Sequence, residues 1–314
     1  MSAPRYRGRF APTPSGALHF GSIVAALGSF LEARTHAGEW QVRIDDLDPP
    51  RVVSGAADGI LRCLDSLGFE WDGEVVWQSR RSAAYSAAFQ RLRSEGLVYP
   101  CACSRKGIAA LAPAGADGPI YPGTCRAGMV QGQAVRSWRI RTVGASVRFD
   151  DGVLGPQIYD VEHESGDFVL LRADYVYSFH LAAAVDDAEY GMTHVVRGSD
   201  LLESSARQIW LLGVLGLHVP QYAHLPIAAD AQGQKLSKQT HAAPVDAAHP
   251  VDVLWRALAF LGQAPPGSLR SASRTELWTW ARANWQLTRV PRQRQLPVPA
   301  APGVQRPGPG ASAQ

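Results

Sequence analysis

The sequence predicts an α/β protein with a doubly wound, mostly parallel sheet, an inserted cysteine-bearing subdomain and a short helical C-terminal region. Three observations predict it. Strand-like and helix-like apolar stretches alternate through most of the chain. The segment Arg9–Leu31, RFAPTPSGALHFGSIVAALGSFL, runs from a strand end through a Pro/Gly turn into a helix. From Leu97 the texture changes to Gly, Pro and Ala and takes in three of the four cysteines.

In the opening segment, Phe10 and Ala11 close a buried strand, Pro12 and Pro14 break regular structure, and Gly16 permits a tight turn. A packed helix starts near Ser22, with Ile23, Leu27, Phe30 and Leu31 apolar. Such a helix N-terminus after a strand presents free amides and a positive dipole end, which suits phosphate. Gly21 allows close backbone approach and His19 supplies a donor there; an ordinary βα turn with a surface histidine is the bland alternative.

WQVRIDDLD at 40–48 reads as a strand entering an acidic turn closed by Pro49 and Pro50. Helices are expected from about Gly55 to Leu67 and over 82–96, the latter with Tyr85, Phe89 and Leu92 on one face. GFEWDGEVVWQSR between them holds a short strand. SWRIRT, SVRFDD and GDFVLLR alternate as strands do. An apolar helix in YSFHLAAAVDD, the strand THVVR, the helix ESSARQIWLLGVLG and a short strand in HLPIAAD follow. Two more helices are expected near 251–262 and 273–285, with Trp278, Trp280 and Trp285 as core rather than stacking platforms. The expected units are 1–96 and 137–241 as halves of the sheet domain, 97–136 as the insertion, 242–290 as the helical region and 291–314 as a disordered tail.

Composition fits a globular protein: 46% hydrophobic and 19% charged. No apolar run approaches the roughly 18–20 residues that span a bilayer. The N-terminus lacks an apolar signal core, so a cytoplasmic protein is expected; it is also expected to be a monomer. The net charge of +3 is too small to argue for nucleic acid, although five arginines and no acidic residue follow Glu276. Those arginines suit phosphate contacts, or belong to an end without a partner.

Cys63 reads as a small core residue on a helix. Cys101, Cys103 and Cys125, with Tyr121, form C-x-C-x17-Y-x3-C. In a segment poor in large apolar residues this points to a structural zinc ion with all four positions filled, against three reduced thiols. QKLSKQT at Gln234–Thr240 offers Lys235 and Lys238 to a polyphosphate; alone it reads as a solvated turn.

Taken together and in order, GRFAPTPSGALHFGS, RIDDLDPPR, YSFHLAAAVDD, VVRGSDLL and KLSKQ resemble the signature regions of the class I aminoacyl-tRNA synthetases, in the form seen in glutamyl enzymes. The likeness covers roughly residues 5–260 and implies a Rossmann-like catalytic domain. Only 76 residues follow Lys238, which leaves no room for a large anticodon-binding region. That shortness, with HFGS, KLSKQ and the cysteine cluster, is similar to the glutamyl-Q tRNA(Asp) synthetases, which activate glutamate with ATP and attach it to the queuosine base of tRNA(Asp).

The resemblance implies a division of labour. Arg9 and Arg197 would hold the carboxylates of glutamate, and Phe10, Ala11, Pro12 and Thr13 would line its pocket. His19, Gly21 and Ser22 would hold ATP, carried with Mg²⁺, and Lys235 and Lys238 would stabilise departing pyrophosphate. Asp45 stands where the family has a glutamate for the substrate's ammonium, and Phe179 where it has a tyrosine, so Tyr177 or Tyr175 would have to supply the missing hydroxyl. For Arg197 the structural alternative is an ion pair with Asp186 or Asp200; Asp45, Asp46 and Asp48 make a metal site or, more simply, a solvated acidic turn. Two other functions fit the same fold: an RNA- or nucleotide-binding module without catalysis, and glutamate charging of a tRNA acceptor end.

Overall fold

The protein was analysed as a computed structural model, which describes residues 5–115, 118–230 and 244–298. The elements in chain order are β1 (Arg7–Phe10), α1 (Phe20–Thr35), β2 (Glu39–Ile44), α2 (Ala56–Leu67), β3 (Val76–Trp77), α3 (Ser82–Ser94), β4 (Val98–Cys101), α4 (Arg105–Leu111), β5 (Ala114–Gly115) and β6 (Gly118–Pro119). There follow β7 (Ser137–Ile140), β8 (Ser146–Asp151), β9 (Gly155–Asp160), α5 (Val161–Glu164), β10 (Val169–Arg172), α6 (Phe179–Glu189), β11 (His194–Gly198), α7 (Leu202–Val214), β12 (Gln221–Leu225), β13 (Ile227–Ala229), α8 (Pro250–Phe260), α9 (Arg274–Asn284) and β14 (Gln295–Pro297).

Parallel pairing dominates the strands around β1. β1, β2 and β3 form one parallel set and β11 and β12 another. The two sets meet where the Thr193 amide donates to the Arg7 carbonyl (3.0 Å) and the Arg7 amide to Thr193 Oγ1 (2.8 Å). Strand order therefore reverses beside β1, which is where open α/β sheets bind their ligands.

Alternation along these strands sorts the side chains. Phe10, Trp40, Val42, Ile44 and Val196 pack into one core with α1, α2, α8 and α9. Their neighbours Arg9, Arg43 and Arg197 point to the opposite face, that of α6. Helix α1 is buried nearly all round, and a Cβ on Gly28 would meet Leu225 Cδ1 at 2.4 Å, so glycine lets the helix lie against β12. Trp278 and Trp285 belong to this core: their indole N–H groups donate to Leu67 O (3.0 Å) and Glu32 Oε2 (2.6 Å).

A second core joins α3, α6 and α7 to an antiparallel sheet, β10-β7-β4. The strands of that sheet come from both sides of residue 136, so hydrogen bonding ties the cysteine-rich segment to residues 137–172. The hairpin β8–β9 includes a strand, Gly155–Asp160, that the sequence pattern did not announce.

The expectation of disorder from residue 291 does not hold for residues 295–297. These form β14, parallel to β13; Arg294 O accepts from Ile227 N (2.9 Å) and from the Ser199 hydroxyl, and Val298 N donates to Ala229 O (2.9 Å). The backbone hydrogen bonds of β13 outweigh the proline-rich composition that suggested a free tail, and an edge strand tolerates Pro297. Among the described residues no helix is long and apolar enough to cross a membrane.

Candidate active site

The nucleotide-type turn has the predicted form. β1 ends at Phe10, and the loop is pinned by Asp45 N to Pro12 O (3.0 Å), Ser15 N to Thr13 O (2.8 Å) and Val53 N to Pro14 O (2.9 Å). Gly16 takes φ 131°, which only glycine adopts freely. His19 is the N-cap of α1: its Nδ1 accepts from the Ser22 amide (3.3 Å), and its carbonyl accepts from the same amide (2.9 Å). The Ser22 amide, expected to face a phosphate, is thus already engaged by the histidine. A Cβ on Gly21 would come within 3.2–3.3 Å of the His19 ring, so glycine keeps room for the cap. Lys235 and Lys238 lie outside the described residues, but the chain flanking them is placed. Ala228 approaches Gly21, Pro244 bridges to His19, and Val245 N donates to Leu18 O (2.9 Å).

On the α6 face of the sheet lies a buried ionic network that the sequence did not disclose. Arg9 pairs in bidentate fashion with Asp187, Nε to Oδ1 at 3.0 Å and Nη2 to Oδ2 at 3.1 Å. Arg43 donates to Asp187 (2.7 Å) and to Asp45 (2.7 Å). Asp186 takes Arg81 (2.6 Å), Gln78 (2.8 Å) and the Tyr85 hydroxyl (3.0 Å). Burial would push the Asp187 carboxyl up, but Arg9 and Arg43 bring it down to about 2. Asp45 goes the other way: burial pushes it up to about 6, although Arg43 pulls it down. The signal for this network was an acidic pair inside an apolar helix, because two buried carboxylates demand partners.

Arg197 differs from Arg9. It is buried, yet it has no ion-pair partner among the described residues. Its Nη2 donates to Ser205 Oγ (2.6 Å) and Leu201 O (3.4 Å), its Nε faces His224 Nε2 (3.5 Å), and it lies 5.4 Å over the Tyr222 ring. Burial, reinforced by Arg9, brings the guanidinium down to about 10. The alternative of an ion pair with Asp186 fails because Asp186 is turned to Arg81, Gln78 and Tyr85. Arg9, Arg43 and Arg81 are paired with Asp45, Asp186, Asp187 and Glu189, whereas Arg197 has no ion-pair partner among the described residues.

Phe179 opens α6, 36% exposed, on the helix face that carries Asp186 two turns later. Tyr177 packs on Tyr85 and Phe89 in the second core, and Tyr175 is 84% exposed at φ 61°. Neither hydroxyl joins the arginine–aspartate network. Asp46 accepts from Ser79 N (2.8 Å) and Asp48 from Arg172 (2.7 Å), so the acidic turn is tied down by protein donors.

The cysteines converge as the spacing suggested. The three Sγ atoms lie within 4.8 Å of one another, Cys103 and Cys125 at 3.6 Å, with the Tyr121 hydroxyl 3.3 Å from Cys101 and 3.6 Å from Cys103. Tetrahedral ligands around zinc lie about 3.8 Å apart for thiolates and somewhat less for oxygen, so the group fits the ion. Burial pushes the Cys101 thiol up, but hydrogen bonds from Tyr121 and Arg139 bring it down to about 7. Arg139 Nε donates to Cys101 Sγ (3.4 Å), placing a positive charge beside what would be a net-negative tris-thiolate zinc centre.

Comparison with known proteins places this geometry. Residues 5–261 match the family of tRNA synthetases class I (E and Q), catalytic domain. A protein of Aromatoleum aromaticum called "Glutamyl-Q tRNA(Asp) synthetase" is 53% identical over 300 residues, covering 96% of this chain and 95% of that one. One of the same name from Dechloromonas aromatica is 52% identical, covering 96% and 100%. The chain belongs to the glutamyl-Q tRNA(Asp) synthetase family. Its fold is similar to that of the glutamate-tRNA synthetase of Elizabethkingia anophelis, with TM-score 0.78 at 21% identity over 95% of this chain and 68% of the other. As a member of a class I family it is a ligase that forms an aminoacyl bond, with the α/β Rossmann-like catalytic domain of that class.

Proposed function

We propose that the protein activates glutamate with ATP and transfers it to the queuosine base of tRNA(Asp). About 50% identity to relatives of that name over nearly the full chain supports the reaction. The observation that carries the site assignment is Arg197, a buried guanidinium with no ion-pair partner among the described residues, beside Arg9, whose charge Asp187 already balances. Arg197 is the group that gains most from a substrate carboxylate, because the ligand supplies the missing counter-charge. Arg9, with Nη1 outside its pair to Asp187, assists, and Asp45 receives the ammonium. Ala11, Pro12 and Thr13 form the loop wall and Phe179 the rim.

In the first step the glutamate carboxylate attacks the α-phosphorus of ATP and pyrophosphate leaves. His19 and Gly21 hold the nucleotide, and Lys235 and Lys238 take up charge on the leaving group. The reaction needs no covalent nucleophile from the protein: alignment and charge stabilisation do the work. In the second step a hydroxyl of queuosine attacks the adenylate's carbonyl carbon and AMP departs. Purified protein is expected to catalyse glutamate-dependent ATP–pyrophosphate exchange without RNA, and to glutamylate tRNA(Asp) only when it bears queuosine. Absence of exchange, or equal transfer to tRNA lacking the modified base, overturns the proposal.

Cys101, Cys103, Tyr121 and Cys125 would hold one zinc ion, which staples a segment too poor in apolar residues to hold itself. Elemental analysis is expected to give about one zinc per chain, falling to near zero in Cys125→Ser, since structural zinc contributes on the order of 10 kcal/mol of folding free energy. In that variant proteolysis should begin within residues 97–136. Full zinc content in Cys125→Ser would remove this residue from the ligand set.

A further inference from the structure

Arg197 is held by a chain of buried polar groups drawn from three elements. Its Nη2 donates to Ser205 Oγ on α7 (2.6 Å); Ser205 Oγ meets His224 Nε2 on β12 (2.7 Å); His224 Nδ1 meets Asp151 Oδ2 at the end of β8 (2.5 Å). All four residues are buried, Ser205 and His224 completely. Asp151 is itself fixed: its Oδ1 accepts from the amides of Val153 (3.0 Å), Leu154 (2.8 Å) and His224 (3.1 Å).

The direction of the chain follows from the donor inventory. An ionised Asp151 only accepts, so His224 Nδ1 carries the hydrogen and Nε2 is left as an acceptor. Ser205 has one hydroxyl hydrogen, and the shorter of its two contacts, to Nε2 at 2.7 Å rather than Leu201 O at 3.1 Å, takes it. The serine oxygen then accepts from Arg197, which can only donate. Burial holds the histidine neutral, and a neutral imidazole keeps a second positive charge away from the guanidinium.

We propose that Asp151, His224 and Ser205 are positioning residues for substrate recognition: their directed hydrogen-bond chain fixes the Arg197 guanidinium by its Nη2 side and leaves Nη1, which bonds to no described residue, for the carboxylate of the amino acid. This rests on the reading of Arg197 as a carboxylate-binding group. The geometry explains why a buried cation with no ion-pair partner among the described residues is nonetheless held in one orientation. A long flexible side chain would otherwise lose that freedom only when glutamate arrives, at the expense of affinity.

Two substitutions cut the chain with little change of volume. Ser205→Ala removes the acceptor for Nη2. Asp151→Asn keeps an oxygen for the three amides but places an N–H₂ against Nδ1, which moves the imidazole hydrogen to Nε2 and turns it towards Ser205 and Arg197. Each is expected to raise the KM for glutamate in ATP–pyrophosphate exchange about tenfold, near 1.4 kcal/mol. The KM for ATP should stay within about twofold, a split that a general loss of structure does not produce. Ser204→Ala, the neighbouring helix position, should change neither. Calorimetric titration of glutamate alone accompanies the kinetics. Weaker glutamate binding in Ser205→Ala supports the inference even if the wild type shows no exchange, in which case only the proposed reaction falls. Active wild type with unmoved or jointly moved KM values overturns the inference alone. Wild type that neither binds nor activates glutamate overturns both.

Discussion

Replacing Arg197 with methionine is expected to raise the KM for glutamate by about 100-fold or more, the cost of losing a charge-assisted contact of roughly 3 kcal/mol. The melting temperature should meanwhile stay level or rise. The two halves of this result belong together. Arg197 is buried with no ion-pair partner among the described residues, and burial already draws its guanidinium down to about 10. An apolar side chain of similar length removes that desolvation penalty. Ser205 keeps partners in Leu201 O and His224. Glutamate titrations together with thermal melts check both halves. A large loss of stability in Arg197→Met would make the arginine a structural group, and its assignment to the substrate would be withdrawn.

Asp187→Ala should have the opposite profile, a loss of about 3–5 kcal/mol in stability. The carboxylate receives Arg9 twice and Arg43 once, so its removal strands the Arg9 guanidinium in a dry site and leaves Arg43 to Asp45 and Asp186. For a chain of this size such a loss lowers the melting temperature by on the order of 10 °C. The pH dependence has a definite sign. Asp187 is brought from the ordinary carboxylate range down to about 2, so its contribution is present above about pH 4. It is lost as the pH falls towards 2. The deficit of the variant should therefore shrink in acid. Asp45, pushed up to about 6, contributes in the reverse sense: its relative stabilisation is fully present below about pH 4 and is lost as the pH rises through 6. Urea melts of wild type and variant at pH 7, 5 and 3 measure the difference. A deficit that grows on acidification would contradict the pairing described.

The parts of the molecule legible in the sequence were those whose signals are local. The turn from Phe10 to Ser22, α2 and α3, α8 and α9, and the C-x-C-x17-Y-x3-C cluster each occupy a short window in which spacing and residue type carry the information. The ionic network was not legible, because Arg9 and Arg43 find Asp187 across separations of 178 and 144 residues. The chain from Arg197 to Asp151 was hidden in the same way: His224 and Asp151 are 73 residues apart, and Ser205 looks like any helix serine. β14 was hidden differently, since composition describes what a segment does alone and not what a sheet edge offers it. The likeness to a family named Arg197 as a ligand group, but what sets it apart from Arg9 is that no described carboxylate forms an ion pair with it, which no motif contains.

Residues 231–243 leave the described chain after Asp230 and rejoin it at Pro244, and both ends are anchored. β13 is held by β14 on one side, and Pro244 and Val245 are held by His19 and Leu18 on the other. The strand β14 thus closes the edge of β13, and a chain shortened before residue 295 would leave that edge's backbone donors and acceptors open to any other extended segment.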